Sequence, residues 1–137
     1  MQQKLTVLII DDDLDDRLIF CEIIAEISKN ISCLAFSGGA EALEKLEKMT
    51  SLPDFIFLDL NMPRMSGKQC LIHLKNNSKL QSVPVVIYST SKQEEAKQET
   101  SALGAHSFLS KPSRMEDLKK ELRNIFQEKF ENASLNT

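Results

Sequence analysis

The sequence predicts an α/β fold, a doubly wound parallel sheet of five strands flanked by five helices. Two observations lead there. Short apolar runs alternate five times with segments whose apolar residues recur at helical spacing. One run, residues 54–58, is apolar almost throughout after its first Asp, as a strand covered on both faces must be. Short right-handed crossovers then leave a parallel sheet between two helical layers as the simplest arrangement.

Each element has its own signal. Leu5–Ile10 is a β-branched run ending in acids. The helix after it carries Leu14, Leu18, Cys21 and Ala25 beside Ile19, Ile23 and Ile27, with Asp13 as its cap and Asp16 adding charge at its third position. Ile31–Phe36 is the second strand. Gly38 and Gly39 make the turn into a helix marked by Ala42, Leu43 and Leu46. Pro53 precedes the third strand, and the loop 60–65 leads to Ser66 and Gln69, which form an S-x-x-Q capping box before Cys70, Leu71 and Leu74.

Residues 83–88 read as the fourth strand, with Pro84 tolerated near its start. Ser91 and Glu94 form a second capping box, and the helix they open has few large apolar residues before Leu103, so its outer face is expected to be exposed. Residues 106–109 make the fifth strand, ended by Lys111 and Pro112. The last helix starts at Ser113, turns Met115, Leu118, Leu122, Ile125 and Phe126 inward, and frays from Asn132.

The composition bounds the function. With 137 residues there is room for one core, and 42% hydrophobic against 27% charged residues excludes a disordered chain. A net charge of -3 gives no global footprint for nucleic acid, and no run has the length of a membrane helix. Cys21, Cys33 and Cys70 are too few and too dispersed for a zinc motif. Their odd number speaks against a closed disulfide framework, which fits a reducing cytosol.

In a sheet of this kind sites form where carboxyl ends of strands converge. Those ends carry Asp11 and Asp12, Asp59, Ser89 and Lys111. Three carboxylates in one cleft repel one another unless a cation or protons offset them, and oxygen ligands without Cys or His suit Mg²⁺. Asp59, held rigidly behind a buried strand, is the candidate nucleophile for an acyl phosphate. Ser89 then donates a hydrogen bond and Lys111 balances the charge of a transferring phosphoryl group. Taken singly, each residue has a plainer account: caps and strand-end turns for the acids, an ordinary strand-end hydroxyl for Ser89, a solvated surface charge for Lys111.

The ordered set resembles the receiver domain of two-component response regulators, of the single-domain, CheY-like kind, over residues 4–130, with 131–137 a short tail. The resemblance implies the flavodoxin-like strand order 2-1-3-4-5 and Asp59 as phosphoacceptor. It implies Mg²⁺ held by Asp12, Asp59 and the Asn61 backbone carbonyl, with Asp11 acting through water. Ser89 and Phe108 match the switch positions. Phe108 lacks the hydroxyl of Tyr-containing relatives, so a switch here works through ring position. Lys111 and Pro112 match a pair whose peptide bond is commonly cis, and Thr90 stands where many relatives carry a smaller residue, narrowing access to Asp59 or serving as a harmless strand-end residue.

The implied partners are a sensor histidine kinase or histidine phosphotransfer protein upstream and a separate protein target downstream, in the cytoplasm, with no direct DNA binding, no membrane insertion and no enzyme activity beyond slow autodephosphorylation. The chain offers no second domain for output. A receiver-shaped module that binds its partner without phosphorylation is the alternative, since fold alone does not separate the two. Asp59 and Asn61 also resemble the D-x-D motif of aspartate-dependent phosphatases, but Asn61 cannot supply the second carboxylate. His73 and His106 lack a nucleophile partner, and Lys119, Lys120 and Arg123 alternate with acids as a solvated helix face.

Overall fold

The computed structural model describes residues 4–90 and 93–135. Along the chain they form β1 (Leu5–Ile10), α1 (Leu14–Ile27), β2 (Ile31–Phe36), α2 (Gly39–Lys48), β3 (Phe55–Leu58), α3 (Gly67–Lys75), β4 (Val85–Ser89), α4 (Glu94–Ala102), β5 (Ser107–Ser110) and α5 (Met115–Leu135). The five strands form one sheet in the order β2-β1-β3-β4-β5, with every pairing parallel. The expected fold and strand order are those observed.

Successive strand residues point to opposite faces, and each face here has its own core. Val7, Ile9, Phe55, Phe57, Val86, Tyr88 and Leu109 meet α1 and α5 through Phe20, Ile23, Ile24, Leu118, Leu122 and Phe126. Leu8, Ile10, Ile56, Leu58, Val85 and Ile87 meet α2 and α3 through Ala42, Leu46, Cys70, Leu71 and Leu74. Ring centroids of Phe20 and Phe57 lie 4.9 Å apart, and those of Phe55 and Phe126 5.7 Å, so aromatic packing ties α1 and α5 to the middle of the sheet. Two-sided burial explains why β3 is apolar at all four positions.

The caps form as expected at two helices. Asp13 accepts the Asp16 N–H at 2.9 Å, and Ser66 and Gln69 complete a reciprocal capping box. The box expected from Ser91 falls partly on residues 91–92, outside the described residues, and α4 opens with Gln93 at its N-cap.

Several expectations are corrected. β4 starts at Val85, because Pro84 has no N–H for the ladder, although its carbonyl accepts from Ile56 at 2.9 Å. β5 is shifted by one residue, to Ser107–Ser110. Met115 is 49% exposed: it opens α5 and lies outside the inward stripe that begins at Leu118. Leu14 and Leu18 share a helical face but are 58% and 59% exposed, since α1 turns Phe20, Ile23 and Ile24 to the sheet. Helix α5 continues to Leu135, through residues assigned to the tail.

The cysteine expectation is also overturned. Cys21 of α1 and Cys33 of β2 are paired as a disulfide, and Cys70 stays buried and unpaired. An odd count leaves one thiol over without preventing a pair, and the return of the chain from α1 into β2 brings the two Cα atoms to 5.7 Å, within bridging range. The cysteine count therefore gives no support to a reducing compartment. Burial pushes the Cys70 thiol up to about 12, which keeps it unreactive. No described helix is long and apolar enough to cross a membrane.

Candidate functional site

Parallel register sets the site. Ile10 pairs with Leu58 and Leu58 with Ile87, so the residues following β1 and β3 leave the sheet side by side. The Asp59 N–H donates to the Ile10 carbonyl at 3.0 Å, and the Asp11 N–H to that of Phe36 at 3.0 Å. Ser89 pairs with Ser110, and the Lys111 N–H donates to the Ser89 carbonyl at 2.8 Å, which brings the lysine to the same edge.

Asp11, Asp12 and Asp59 offer carboxylate oxygens that all lie within 4.8 Å of one another. Asp11 is fully buried, Asp59 is 5% exposed and Asp12 is exposed, so the trio forms a pocket with one acid at its mouth. Asp11 Oδ1 accepts the Asp13 N–H at 3.0 Å, while the Arg17 guanidinium donates to the Asp11 carbonyl at 2.8 Å. Asn61 donates its N–H to Asp59 Oδ1 at 3.4 Å.

Lys111 is the counter-charge. Its ammonium donates to Asp11 Oδ2 at 2.7 Å and Asp16 Oδ2 at 2.8 Å and stands 3.7 Å from Asp59 Oδ2. Burial alone would lower its pKa, but those hydrogen bonds and the charges of Asp59 and Asp11 outweigh it and hold the ammonium above its usual range. Asp59 moves the other way for a carboxylate in an ion pair. Burial raises it most, Lys111 lowers it, Asp11 raises it, the Asn61 N–H lowers it and Asp12 raises it, leaving the carboxyl at about 6. Its ionised form is strained at neutral pH, the state that a bound cation would relieve.

The structure thus gathers Asp11, Asp12, Asp59 and Lys111, with Ser89 fully buried at the adjoining strand end. Phe108 is elsewhere: half-buried on the α2–α3 face of the sheet, with Lys97 of α4 5.8 Å from its ring centroid. Thr90 is exposed and, with Asp16, Ser110 and Lys111, lines a cleft of about 530 Å³ beside the pocket. The Lys111–Pro112 bond is trans, unlike the pattern implied by the resemblance. The contacts of Asp16 and Arg17 were missed in the sequence. Asp16 sits in a first helical turn, where a negative charge is explained without any distant partner, and nothing in the sequence marks the Arg17 bond back to the Asp11 carbonyl.

A model of the response regulator receiver domain matches residues 7–123. The chain belongs to the response regulator receiver family. Response regulator ARR17 of Arabidopsis thaliana is 33% identical to this receiver, over 88% of this chain and 84% of that protein. The Mn²⁺-bound form of response regulator Rcp1 shares the fold at TM-score 0.77 and 25% identity, covering 88% of this chain and 91% of the other. A phosphorylated cyanobacterial phytochrome response regulator, RcpA, does so at TM-score 0.81 and 25% identity, covering 89% and 91%. Protein-glutamate methylesterases also match, for instance that of Pyrococcus horikoshii at 36% identity, but the receiver spans only 34% of its length. The CheY-like, flavodoxin-like fold and the two-component signalling class are therefore established for this chain.

Proposed function

We propose that this receiver accepts a phosphoryl group on Asp59 from a histidine kinase or histidine phosphotransfer protein and passes the signal on by protein contact. The observation that carries the reading is the meeting of Asp59 with Asp11, Asp12 and the Lys111 ammonium at one sheet edge. The donor set fits a hard divalent cation, being all oxygen and strongly anionic. Asp12, Asp59 and the Asn61 carbonyl would hold Mg²⁺, with Asp11 acting through water. When bound, Mg²⁺ offsets the carboxylate repulsion and supplies a Lewis acid for phosphoryl oxygens.

In the transfer an Asp59 carboxylate oxygen forms a bond to phosphorus as the bond from phosphorus to the donor imidazole nitrogen breaks. The electron pair leaves with the imidazole, which then takes up a proton. Lys111 neutralises charge on the phosphoryl oxygens, and the Ser89 hydroxyl donates to one of them. Exposed Leu14 and Leu18, just beyond the pocket on α1, suit an apolar contact with the delivering partner. The output face is α4, β5 and α5. The downstream target is a separate protein, bound without direct DNA contact, and the location is cytoplasmic.

Acid-quenched mass spectrometry tests the reading. With Mg²⁺ and a small acyl phosphate the intact mass should rise by about 80 Da, one phosphoryl group. Asp59→Asn should abolish the rise, and specific labelling that persists in the variant rejects Asp59 as acceptor. A calorimetric Mg²⁺ titration checks the ligand set. Asp12→Asn should weaken binding by roughly tenfold or more, with Asp11→Asn less affected, and unchanged affinity in Asp12→Asn removes that ligand.

A further inference from the structure

Lys111 has a carboxylate partner outside the acidic trio. An ammonium has three N–H donors, and in this lysine two are engaged by Asp11 and Asp16, at 2.7 and 2.8 Å, while Asp59 stands beyond hydrogen-bond reach at 3.7 Å. Neither anchor is free to follow the lysine. Asp11 is fully buried, and Asp16 sits in the first turn of α1, whose frame is fixed by the Asp13 cap on the Asp16 N–H and by Arg17 on the Asp11 carbonyl. At its other end the lysine is fixed by its backbone bond to Ser89, and its ammonium lies 5.3 Å from the Tyr88 ring centroid.

We infer that Asp16 is a positioning residue, which holds the Lys111 ammonium off Asp59 yet within reach of an oxygen on a phosphoryl group arriving there. This rests on the proposed phosphorylation of Asp59. Without the Asp16 charge the ammonium loses one of its two anchors and is left held by Asp11 alone with two donors open, and Asp59 is the next anion within reach. The lysine then closes on Asp59 Oδ2 in a charge-assisted hydrogen bond. Such a bond ties up a lone pair of the attacking carboxylate and engages the ammonium before any phosphoryl group arrives. A purely structural Asp16, acting only through the helix dipole, would leave the lysine where it is. Asp15, exposed in the same turn, carries the same charge and serves as the comparison.

Two measurements test this on the full chain. The first is the side-chain nitrogen and ammonium-proton signal of Lys111 in the unphosphorylated, Mg²⁺-free protein. The second is the rate of Asp59 labelling by a small acyl phosphate at saturating Mg²⁺. In Asp16→Asn the lysine signal should shift and labelling should slow roughly three- to tenfold, a modest misplacement effect. Asp16→Glu should recover most of the rate, and Asp15→Asn should match wild type in both. A lysine signal unchanged in Asp16→Asn overturns the inference, as does wild-type or faster labelling in that variant, or equal slowing in Asp15→Asn. If wild type itself takes no phosphoryl group on Asp59, the proposed function fails, and the lysine signal alone still decides whether Asp16 holds Lys111.

Discussion

Replacing Gly67 by alanine is expected to be the most damaging single methyl addition near the site, costing about 3 kcal/mol or more. Gly67 opens α3 directly against the chain leaving β3, and its N–H donates to the Leu60 carbonyl at 2.9 Å. A β-carbon built there lies inside contact distance of the Asp59 carbonyl oxygen and 2.5 Å from the Leu60 Cα. Both obstacles are backbone, so no side chain can turn aside, and relief requires α3 to withdraw from the Asp59 loop. Gly38→Ala is the control. Its β-carbon would meet only the flexible Glu41 carboxylate, at 3.5 Å, and its cost should stay within about 1 kcal/mol. Urea unfolding of the two variants checks the contrast, and equal midpoints would contradict the close approach.

Asp59→Asn should stabilise the fold at neutral pH while abolishing labelling. The Asp59 carboxyl is raised from 3.8 to about 6, with burial the largest cause. A raised folded-state value means that the native state holds the proton more tightly than the unfolded chain does. The stability this contributes is fully present below about pH 3.8 and is lost as pH rises through about 6. Between these limits the change is on the order of 2–3 kcal/mol, because each unit is worth about 1.4 kcal/mol. Asparagine does not titrate and retains an oxygen for the Asn61 N–H. The variant should therefore be more stable than wild type at pH 7.5 by an amount in that range, with the difference fading toward pH 4. Unfolding in the presence of a chelator measures it. A difference that does not vary with pH would show that Asp59 is not held in its protonated form by burial.

The sheet was legible because its signals are local. Two-sided burial writes itself into residues 55–58 as an unbroken apolar run, and each acid at a strand end stands where parallel register makes the ends converge. The interactions that were not legible lie between residues far apart in the chain. Asp16 and Lys111 are 95 positions apart, and nothing in the first turn of α1 marks one of two adjacent aspartates as a lysine partner. Helical periodicity likewise shows that Leu14 and Leu18 share a face, but coverage depends on what packs there. Phe20, Ile23 and Ile24 take the sheet side, leaving the two leucines in solvent. Met115 fails for the same reason at the opening of α5, and the Cys21–Cys33 pair depends on how α1 returns into β2.

Ser89 lies buried at the end of β4, is paired with Ser110 of β5, and is two residues from Phe108 by the same ladder, where Ile87 is its partner. Phe108 in turn lies under Lys97 of α4. A shift of Ser89 toward a phosphoryl group on Asp59 thus has a short physical route to the face made by α4, β5 and α5, although phosphorylation moves that equilibrium only as far as it favours one arrangement over the other. Residue-resolved amide spectra of the unmodified and phosphorylated protein test this most directly. The predicted result is change around Asp59 together with change across residues 94–126, with the distant part reduced in Ser89→Ala while Asp59 still labels. Spectra in which a fully phosphorylated chain changes only around Asp59 would contradict a phosphorylation-driven switch and leave a receiver whose partner surface is the same in both states.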